Sequence, residues 1–341
     1  MKKISFIVPV YNCKAYLTDC VESIRAVDAE NYELLLIDDG STDGSGVLCD
    51  AFAEQYTQIH VIHQPNSGAS AARNRGILES SGERLLFIDA DDSLDAGALR
   101  KVLNDPRCVE ADLVIFGLTF DYYHRGKCYR QDSLFYEQDG LLPTEEWGSD
   151  FAELFTKNAL SPVWNKVFRR DILIKHQLEL NQGMFLYEDL EFVLRYLHHC
   201  NTIWNVPQAI YHYRQSEDEG NAKRRLARIS SIPEFLIPIE VALTDLLCAN
   251  PAISKRQTDA ILQQLYLTLA REKISTSDLT GIREICQDFF RWAQAHGLPL
   301  EETNFQKRLS EQKAMSLLLA DKKTALRHKV AVWVKSHLRN R

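Results

Sequence analysis

The sequence predicts an α/β protein whose mostly parallel sheet is covered by helices on both faces, followed by a helical C-terminal region. Two observations lead to this prediction. Apolar segments alternate with helical patterns through the first hundred residues, and the pattern is helical from about residue 223 onward. Continuous apolar strands joined by helices are typical of a parallel sheet buried on both faces. Because 341 residues are long for a single core, we expect two domains, residues 1–220 and 221–341.

The N-terminal elements alternate regularly between strand and helix. Four apolar segments are predicted strands, and three segments with apolar residues at helical spacing separate them. In chain order they are strand 3–11, helix 15–27, strand 32–40, helix 45–56, strand 59–65, helix 70–80 and strand 83–92. Parallel strands bring their carboxyl ends to the edge of the sheet where ligands bind. We therefore expect the loops PVYN, DDGSTDGS and DADD to lie together at that edge.

The middle of the chain is less regular. The predicted elements are strand 111–123, a loop over 138–150, a turn and helix in 161–177 and again in 184–200, and a strand pair with a polar loop in 202–221. The helical pattern beyond this region is predicted to be interrupted at Pro233, Pro238 and Pro251.

Composition indicates an ordinary soluble protein, with 45% hydrophobic and 26% charged residues. A net charge of −7 gives no reason to expect a nucleic-acid partner. The eight cysteines occur singly and lack metal-ligand spacing, which predicts reduced thiols. The first apolar run is short for a signal peptide, and no apolar segment reaches the ~20 residues that span a bilayer. We expect a cytoplasmic protein that at most lies on the inner face of the membrane.

Two acidic loops follow the second and fourth predicted strands. In DDGSTDGS, Asp38 and Asp39 precede a glycine turn, and a carboxylate there can accept the N–H of a nucleobase. In DADD, the carboxylates of Asp89 and Asp91 suit Mg²⁺ or Mn²⁺, with substrate phosphates completing the coordination. Each loop taken alone is equally compatible with a solvated acidic turn.

The segment QPNSGASAARNRG places Asn66, Gly68, Arg73 and Asn74 around a helix start. One interpretation is a glycine and serine turn with a solvated arginine. In the other, Arg73 balances the acidic loops and touches the base or phosphate, while the helix N-terminus favours anions.

The motifs FIVPVYN, IDDGSTDGS, NSGASAARNRG and FIDADD, in this order and spacing, resemble the family 2 glycosyltransferases of the GT-A fold. The resemblance covers about residues 1–120 strongly. It continues through WNKVF, YEDLEF and IYHYRQS, as in members that build bacterial polysaccharides. It implies a GT-A domain that uses a nucleotide-sugar donor.

The resemblance implies a role for each matching position on the donor side. The first three residues would contact the nucleobase. Of the next three, the asparagine and the arginine would contact the base side of the nucleotide, and the glycine belongs to the same loop. The last two would meet the ribose and a sugar. In chain order these residues are Pro9, Tyr11 and Asp39, then Asn66, Gly68 and Arg73, then Asp89 and Trp164. Trp164 is equally well explained as a core residue.

The resemblance also implies the catalytic and metal-binding residues. Asp91 would hold the metal that bridges the diphosphate, with His212 as an additional ligand or a hydrogen-bond donor. Asp189 of YEDLEF would be the general base, with Glu188 beside it as a neighbour or substitute. Arg214 would close over the diphosphate. Without the upstream motifs, acidic residues at a helix start are explained by the helix dipole alone.

The expected function is inverting transfer of a single sugar, from a UDP-hexose or UDP-N-acetylhexosamine, with Mn²⁺ or Mg²⁺ as cofactor. The expected acceptor is a hydroxyl of a saccharide or lipid-linked molecule in cell-surface polysaccharide synthesis. Processive relatives carry QxxRW and transmembrane helices, whereas QDFFRW here has three residues between Gln287 and Arg291. One alternative is an inactive saccharide-binding or scaffold protein. A sugar nucleotidyltransferase would need a glycine-rich phosphate loop, and VPVYNCKAY contains no glycine.

The C-terminal tail carries seven lysines and arginines after Asp321 and no acidic residue. Apolar residues from Leu326 to Leu338 follow one helical stripe. The stripe predicts either a helix packed on its own protein or an amphipathic helix on an anionic membrane, where a lipid-linked acceptor would be found. The long helical region is also a candidate surface for a homo-oligomer.

Overall fold

The computed structural model describes residues 4–27, 31–157, 159–215, 229–276 and 279–297. The chain divides into two compact units, residues 1–217 with 242–254 and residues 218–241 with 255–341. The predicted domain boundary at residue 220 stays a prediction, and the predicted basic tail lies outside the described residues.

One sheet of ten strands organises the described part of the first unit. The strands are β1 Ile4–Val10, β2 Tyr32–Asp38, β3 Ile59–His63, β4 Arg84–Phe87, β5 Ser93–Leu94, β6 Leu113–His124, β7 Lys127–Leu134, β8 Gly140–Pro143, β9 Lys166–Arg169 and β10 Thr202–Gln215. Their order is β3-β2-β1-β4-β9-β6-β10-β5, with β7 paired to β6 and β8 paired to β10.

Helices connect and follow these strands. Nine of them precede residue 200: α1 Lys14–Arg25, α2 Ser45–Gln55, α3 Ala69–Glu79, α4 Ala96–Asn104, α5 Pro106–Glu110, α6 Thr144–Ser149, α7 Phe151–Thr156, α8 Arg170–Lys175 and α9 Glu188–Leu197. Three longer helices follow: α10 Ile232–Ala249, α11 Lys255–Thr276 and α12 Leu279–Ala295. Among the described helices, none is long and apolar enough to cross a membrane.

The predicted α/β class is confirmed, and the strands from the N-terminal part of the chain pair in parallel. β1 pairs in parallel with β2 and β4, and β2 pairs in parallel with β3. Nearly every residue of β1 and β2 is buried, so both faces of these strands are covered. This burial explains why their sequences are continuously apolar instead of alternating. The carboxyl ends of β1, β2 and β4 therefore meet at one edge of the sheet.

The prediction missed a strand between β4 and β6. Within residues 161–177, a turn and helix were expected, but β9 precedes α8 and pairs antiparallel with both neighbouring strands. The strand has only four residues, one of them a lysine, so it carries no readable hydrophobic period. Residues 138–150 were expected to be a loop, and they form β8 and α6 instead.

Two further predictions were wrong. The strand pair expected within residues 202–221 is a single long strand, β10, whose register shifts between Val206 and Tyr211 around Pro207. The polar loop expected after it lies outside the described residues. A β-bulge accommodates a proline that would otherwise remove a ladder hydrogen bond. Pro238 lies inside α10 and does not end it.

The helical unit has an aromatic cluster of its own. Tyr266 of α11 stacks on Trp292 of α12 with ring centroids 4.7 Å apart, and Phe289 lies 5.2 Å from Tyr266. The QDFFRW segment is thus part of α12, where its tryptophan is buried against another helix. This packing explains the aromatic residues of the segment, and a role in polymerisation is not needed to explain them.

Candidate active site

The PVYN and DDGSTDGS loops are joined by hydrogen bonds at the carboxyl edge of the sheet. Asn12 adopts a left-handed backbone conformation with φ of 50°, and its Oδ1 accepts from the Thr42 N–H at 2.8 Å. In the other direction, the Asn12 N–H donates to Oγ of Ser41 at 3.2 Å. Tyr11 stands beside this junction with 52% of its surface exposed, and Pro9 lies half-buried near the end of β1.

Asp39 organises the loop that precedes α3. Its buried carboxylate accepts from the backbone N–H groups of Ser67 and Gly68 and from Nε2 of Gln64, each at 2.8 Å. Gly68 has φ of 91°, a conformation that glycine adopts without strain. Asn66 is exposed within the same loop. The predicted residues Asp39, Asn66 and Gly68 are therefore brought together, with most of the Asp39 hydrogen-bonding capacity already used.

The three carboxylates of the DADD loop point into three different environments. Asp89 accepts from Nη2 of Arg73 at 2.6 Å. Asp92 is buried and accepts from the Tyr211 hydroxyl at 2.6 Å and the Arg214 N–H at 2.7 Å. Asp91 is exposed, and no ion pair engages its side chain within the described residues. The repulsion expected from three adjacent acids is reduced because Arg73 pairs with Asp89 and hydrogen bonds hold Asp92.

Asp92 is a site residue that the sequence interpretation left without a role. Burial raises the pKa of Asp92 well above its usual range, and the charges of Asp89 and Asp91 raise it further. Its hydrogen bonds tie β10 to the DADD loop, which places Arg214 beside that loop. A carboxylate five residues after a strand, as Asp92 is after β4, offers no sequence signal that separates an exposed ligand from a buried anchor.

Arg73 of α3 links the DADD loop to the start of α9. Its guanidinium is 5% exposed and pairs with Asp89 at 2.6 Å and with Oδ1 of Asp189 at 3.2 Å. Its Nε is buried and has no hydrogen-bond partner among the described residues. The arginine was predicted to balance the acidic loops and touch the nucleotide, and the structure places it between two carboxylates. A buried guanidinium is tolerated because these two charges compensate its loss of water.

Asp189 lies in the first turn of α9, after Tyr187, which has φ of 59°. Its Oδ2 accepts from the Val163 N–H at 3.3 Å. The pKa of Asp189 is raised to about 6. Burial is the main cause and the charges of Glu188 and Asp89 add to the increase, while the charge of Arg73 opposes it. A carboxyl with a pKa near neutrality, beside the loops at the carboxyl edge of the sheet, has the properties of a general acid or base.

The remaining predicted residues lie on β10 and before β9. Nε of Arg214 donates to the backbone oxygen of Asp91 at 3.1 Å. Nδ1 of His212 lies 3.1 Å from a carboxylate oxygen of Asp121. Trp164 stacks on the Tyr211 ring at 4.2 Å and is 7% exposed. Little of the tryptophan surface is thus open to a sugar, and a sugar contact by Trp164 stays a prediction.

A preassembled metal site is absent from the described part of the chain, where no group of three or more His, Cys, Asp or Glu side chains could hold an ion. The donor set nevertheless suits a hard divalent cation, because Asp91 offers exposed carboxylate oxygens at the mouth of the site. Mg²⁺ in such sites is commonly held by one or two carboxylates together with substrate phosphates.

Comparison with a known family decides how this arrangement is classified. The family model described as Glycosyl transferase family 2 matches residues 5–176, just over half of the chain. The chain belongs to glycosyl transferase family 2. This match covers the PVYN, DDGSTDGS and DADD loops, α3 and β9, and it ends before α9.

Curated relatives agree with this assignment. The chain is 32% identical over 213 residues to the glycosyltransferase EpsH of Bacillus subtilis, covering 62% of this chain and 60% of EpsH. It is 38% identical over 149 residues to glycosyltransferase GlyG of Streptococcus pneumoniae, covering 43% of this chain and 45% of GlyG. The matched regions thus span less than two thirds of either relative.

Solved structures show the same fold. The crystal structure of S. aureus TarS 1–349 in complex with UDP superposes with a TM-score of 0.67 and 18% identity, over 93% of this chain and 90% of that chain. The same fragment in complex with UDP-GlcNAc gives a TM-score of 0.65. The predicted GT-A fold is confirmed.

Proposed function

We propose that the protein is an inverting glycosyltransferase that moves one sugar from a nucleotide sugar to a hydroxyl of a saccharide or lipid-linked acceptor in bacterial cell-surface polysaccharide synthesis. The observation that carries this proposal is the Asp89–Arg73–Asp189 bridge, which holds a carboxyl with a pKa of about 6 beside the loops of the sheet edge. The likeness in fold to a protein that binds UDP and UDP-GlcNAc supports a UDP-hexose or UDP-N-acetylhexosamine as donor.

The proton transfer is assigned to Asp189. As the acceptor oxygen attacks the anomeric carbon, its proton passes to the Asp189 carboxylate, and the bond from that carbon to the diphosphate breaks. The attack and the departure occur on opposite faces in a single displacement, so the anomeric configuration inverts. Arg73 keeps enough of the carboxyl ionised near neutral pH to accept the proton.

The donor is assigned to the loops at the carboxyl edge. Tyr11 and Pro9 would flank the base. The polar edge of the base would lie against the loop of residues 64–68, whose backbone Asp39 holds in place through hydrogen bonds. Asp89 would meet the ribose. Arg214 lies beside the DADD loop, where a cation stabilises the departing diphosphate.

Mn²⁺ or Mg²⁺ is assigned to Asp91, with His212 as the further candidate ligand. When bound, the cation supplies charge neutralisation on the departing diphosphate. The exposed Asp91 carboxylate fits this role better than Asp92, whose two oxygens are already engaged by β10.

Replacing Asp91 tests the metal assignment. Asp91→Ala is expected to abolish the Mn²⁺-dependent part of UDP binding, because no other carboxylate of the DADD loop faces solvent without an ion pair or a buried partner. Isothermal titration with UDP in Mn²⁺ and in EDTA measures this difference. Asp259→Ala in α11 removes one charge from a pair with Lys255 outside the site and should leave both titrations unchanged. A variant that still gains affinity from Mn²⁺ would refute the role of Asp91.

The pH dependence follows from the pKa of Asp189. A base acts only when it is deprotonated, so kcat is expected to fall about tenfold per pH unit below about pH 6. Turnover at saturating donor from pH 5 to 8 gives the profile. A flat profile between pH 5 and 7 would exclude this carboxyl as the base.

Release of the nucleoside diphosphate separates an enzyme from an inactive scaffold. UDP release from UDP-glucose, UDP-galactose, UDP-GlcNAc and UDP-GalNAc is measured with and without simple saccharide acceptors. An enzyme is expected to hydrolyse its donor slowly without acceptor and faster with one. Binding of a UDP-sugar with no release under any of these conditions would favour the scaffold instead.

The place of action is proposed from the acceptor class. A lipid-linked acceptor would bring the protein to the cytoplasmic face of the membrane, where the basic tail would contribute to binding. A homo-oligomer formed through the helical region stays a prediction.

A further inference from the structure

A buried lysine lies behind Asp189. Lys166 of β9 has no exposed surface. Its Nζ donates to the backbone oxygen of Pro162 at 2.5 Å and to Oδ1 of Asn165 at 2.7 Å. Burial lowers the pKa of Lys166 well below its usual range, and the charge of Asp189 opposes that shift. Lysine is almost never fully buried without partners, so its position here indicates a specific role.

The peptide group between Pro162 and Val163 connects Lys166 to Asp189. The oxygen of this group accepts from the lysine, and its N–H, which belongs to Val163, donates to Oδ2 of Asp189 at 3.3 Å. The peptide bonds of the described residues are trans, which directs the C=O and the N–H to opposite sides. Lysine and carboxylate therefore lie at the two ends of one peptide dipole.

We propose that Lys166 is a positioning residue for Asp189, which fixes and polarises the Pro162–Val163 peptide so that its N–H holds the carboxylate in place. The proposal rests on the proposed function, in which Asp189 is the general base. Hydrogen bonds in series strengthen one another, and the low dielectric of a buried site increases the effect.

The surroundings of Lys166 make this arrangement rigid. Asn165 is 1% exposed. Its Nδ2 donates to the backbone oxygen of Phe116 at 2.9 Å, and its backbone oxygen accepts from the Phe116 N–H at 3.1 Å. Both the lysine and its second acceptor are thus fixed to the central strands β9 and β6. A support built on strands holds a catalytic group more accurately than one built on loops.

The lysine satisfies a buried acceptor that an apolar side chain would leave without this donor. An apolar side chain of similar length would fill the same volume, but the loss of the hydrogen bond to the Pro162 oxygen would destabilise the fold. What an apolar side chain cannot do is donate to the Pro162 oxygen. The polar choice is explained by the peptide that it orients.

Four ionisable groups surround Asp189. Arg73 of α3 favours its ionised form, whereas Asp89 of the DADD loop and Glu188 at the start of α9 disfavour it. The fourth group is Lys166 of β9, whose pKa is lowered by burial. The Val163 N–H also favours the ionised form. Weakening that hydrogen bond shifts the balance toward the protonated acid, which cannot act as a base.

The test is the pH profile of Lys166→Met. A hydrogen bond to a charged group is equivalent to about one pKa unit, so the acidic limb of kcat is expected to move upward by about one pH unit, with the KM for the donor unchanged. Val167→Ala is the matched control. Val167 is the next residue of the same strand and is fully buried. Its truncation should lower the Tm and leave the limb in place.

A second variant tests the same peptide from its other end. Val163→Pro removes the donating N–H and keeps Lys166, and it is expected to move the acidic limb in the same direction. This variant also keeps the proposal testable if Lys166→Met does not fold. An acidic limb at the wild-type position in folded Lys166→Met, or in Val163→Pro, would overturn the role of Lys166.

Asp189→Asn, assayed in parallel, distinguishes an error in the role of Asp189 as the base from an error in the role of Lys166 as its positioning residue. If Asp189→Asn retains wild-type turnover, the assignment of the base is wrong, and the role of Lys166 is overturned with it. If Asp189→Asn loses turnover while Lys166→Met keeps the wild-type profile, only the role of Lys166 is overturned.

Discussion

Asp189→Asn is expected to lower kcat by about 10²–10⁴-fold, the usual contribution of a general base, while the affinity for the donor is retained. The amide keeps one of the two oxygens, so it can still accept either from Arg73, which binds Oδ1 of Asp189 at 3.2 Å, or from the Val163 N–H, which binds Oδ2 at 3.3 Å. It cannot take a proton. Steady-state turnover, together with titration of the nucleotide, measures the two effects separately.

Glu188→Gln is the informative comparison for Asp189→Asn. Both residues lie in the first turn of α9, and each change removes one negative charge without changing the size of the side chain. Glu188→Gln is expected to retain most of the turnover because Asp189 remains. Near-normal turnover in Asp189→Asn, with a large loss in Glu188→Gln, would move the base to Glu188.

Arg73→Met is expected to destabilise the fold by about 3–5 kcal/mol, the usual cost of breaking a buried ion pair. The substitution fills a similar volume but leaves Asp89 and Asp189 buried in part without their shared cation. Turnover at pH 7 should also fall, because Arg73 is the group that lowers the pKa of Asp189. Denaturant unfolding and a pH profile of kcat measure these effects.

Arg75→Met controls for the loss of an arginine from the same helix. Arg75 is half exposed and pairs with Glu79 one turn further along α3. Exposed pairs of this kind contribute little, so the expected change is below about 1 kcal/mol. Equal losses of stability in the two variants would show that the Asp89–Arg73–Asp189 bridge has no special importance.

The sequence predicted which loops lie at the carboxyl edge of the sheet because the signals for these loops are local. PVYN, DDGSTDGS and DADD each end a buried strand, and parallel topology brings such ends together wherever the helices run. Asn12, Asp39 and Gly68 do meet at one edge of the sheet. The boundaries of β1, β2 and β3 were predicted to within two residues because these strands are largely apolar, whereas β4 was predicted to end at residue 92 and ends at Phe87.

The remainder of the site depends on contacts between distant segments. Arg73 and Asp189 are separated by 116 residues, and no pattern in either segment shows that they meet. The buried Lys166 was missed because a charged residue in a four-residue strand resembles a turn. Asp92 was missed because its anchoring partners, Tyr211 and the Arg214 N–H, belong to a strand that follows 119 or more residues later.

The most direct test of a metal-dependent nucleotide-sugar site is thermal unfolding with UDP, GDP, CDP and dTDP, each in Mn²⁺, in Mg²⁺ and in EDTA. A ligand that binds only the folded state raises the free energy of unfolding by mass action, by about 2.7 kcal/mol at a ligand concentration of a hundred times its Kd. The Tm rises as a result. We expect an increase in Tm with UDP that requires the divalent cation. No increase with any of the four nucleotides, in either metal, would contradict the account.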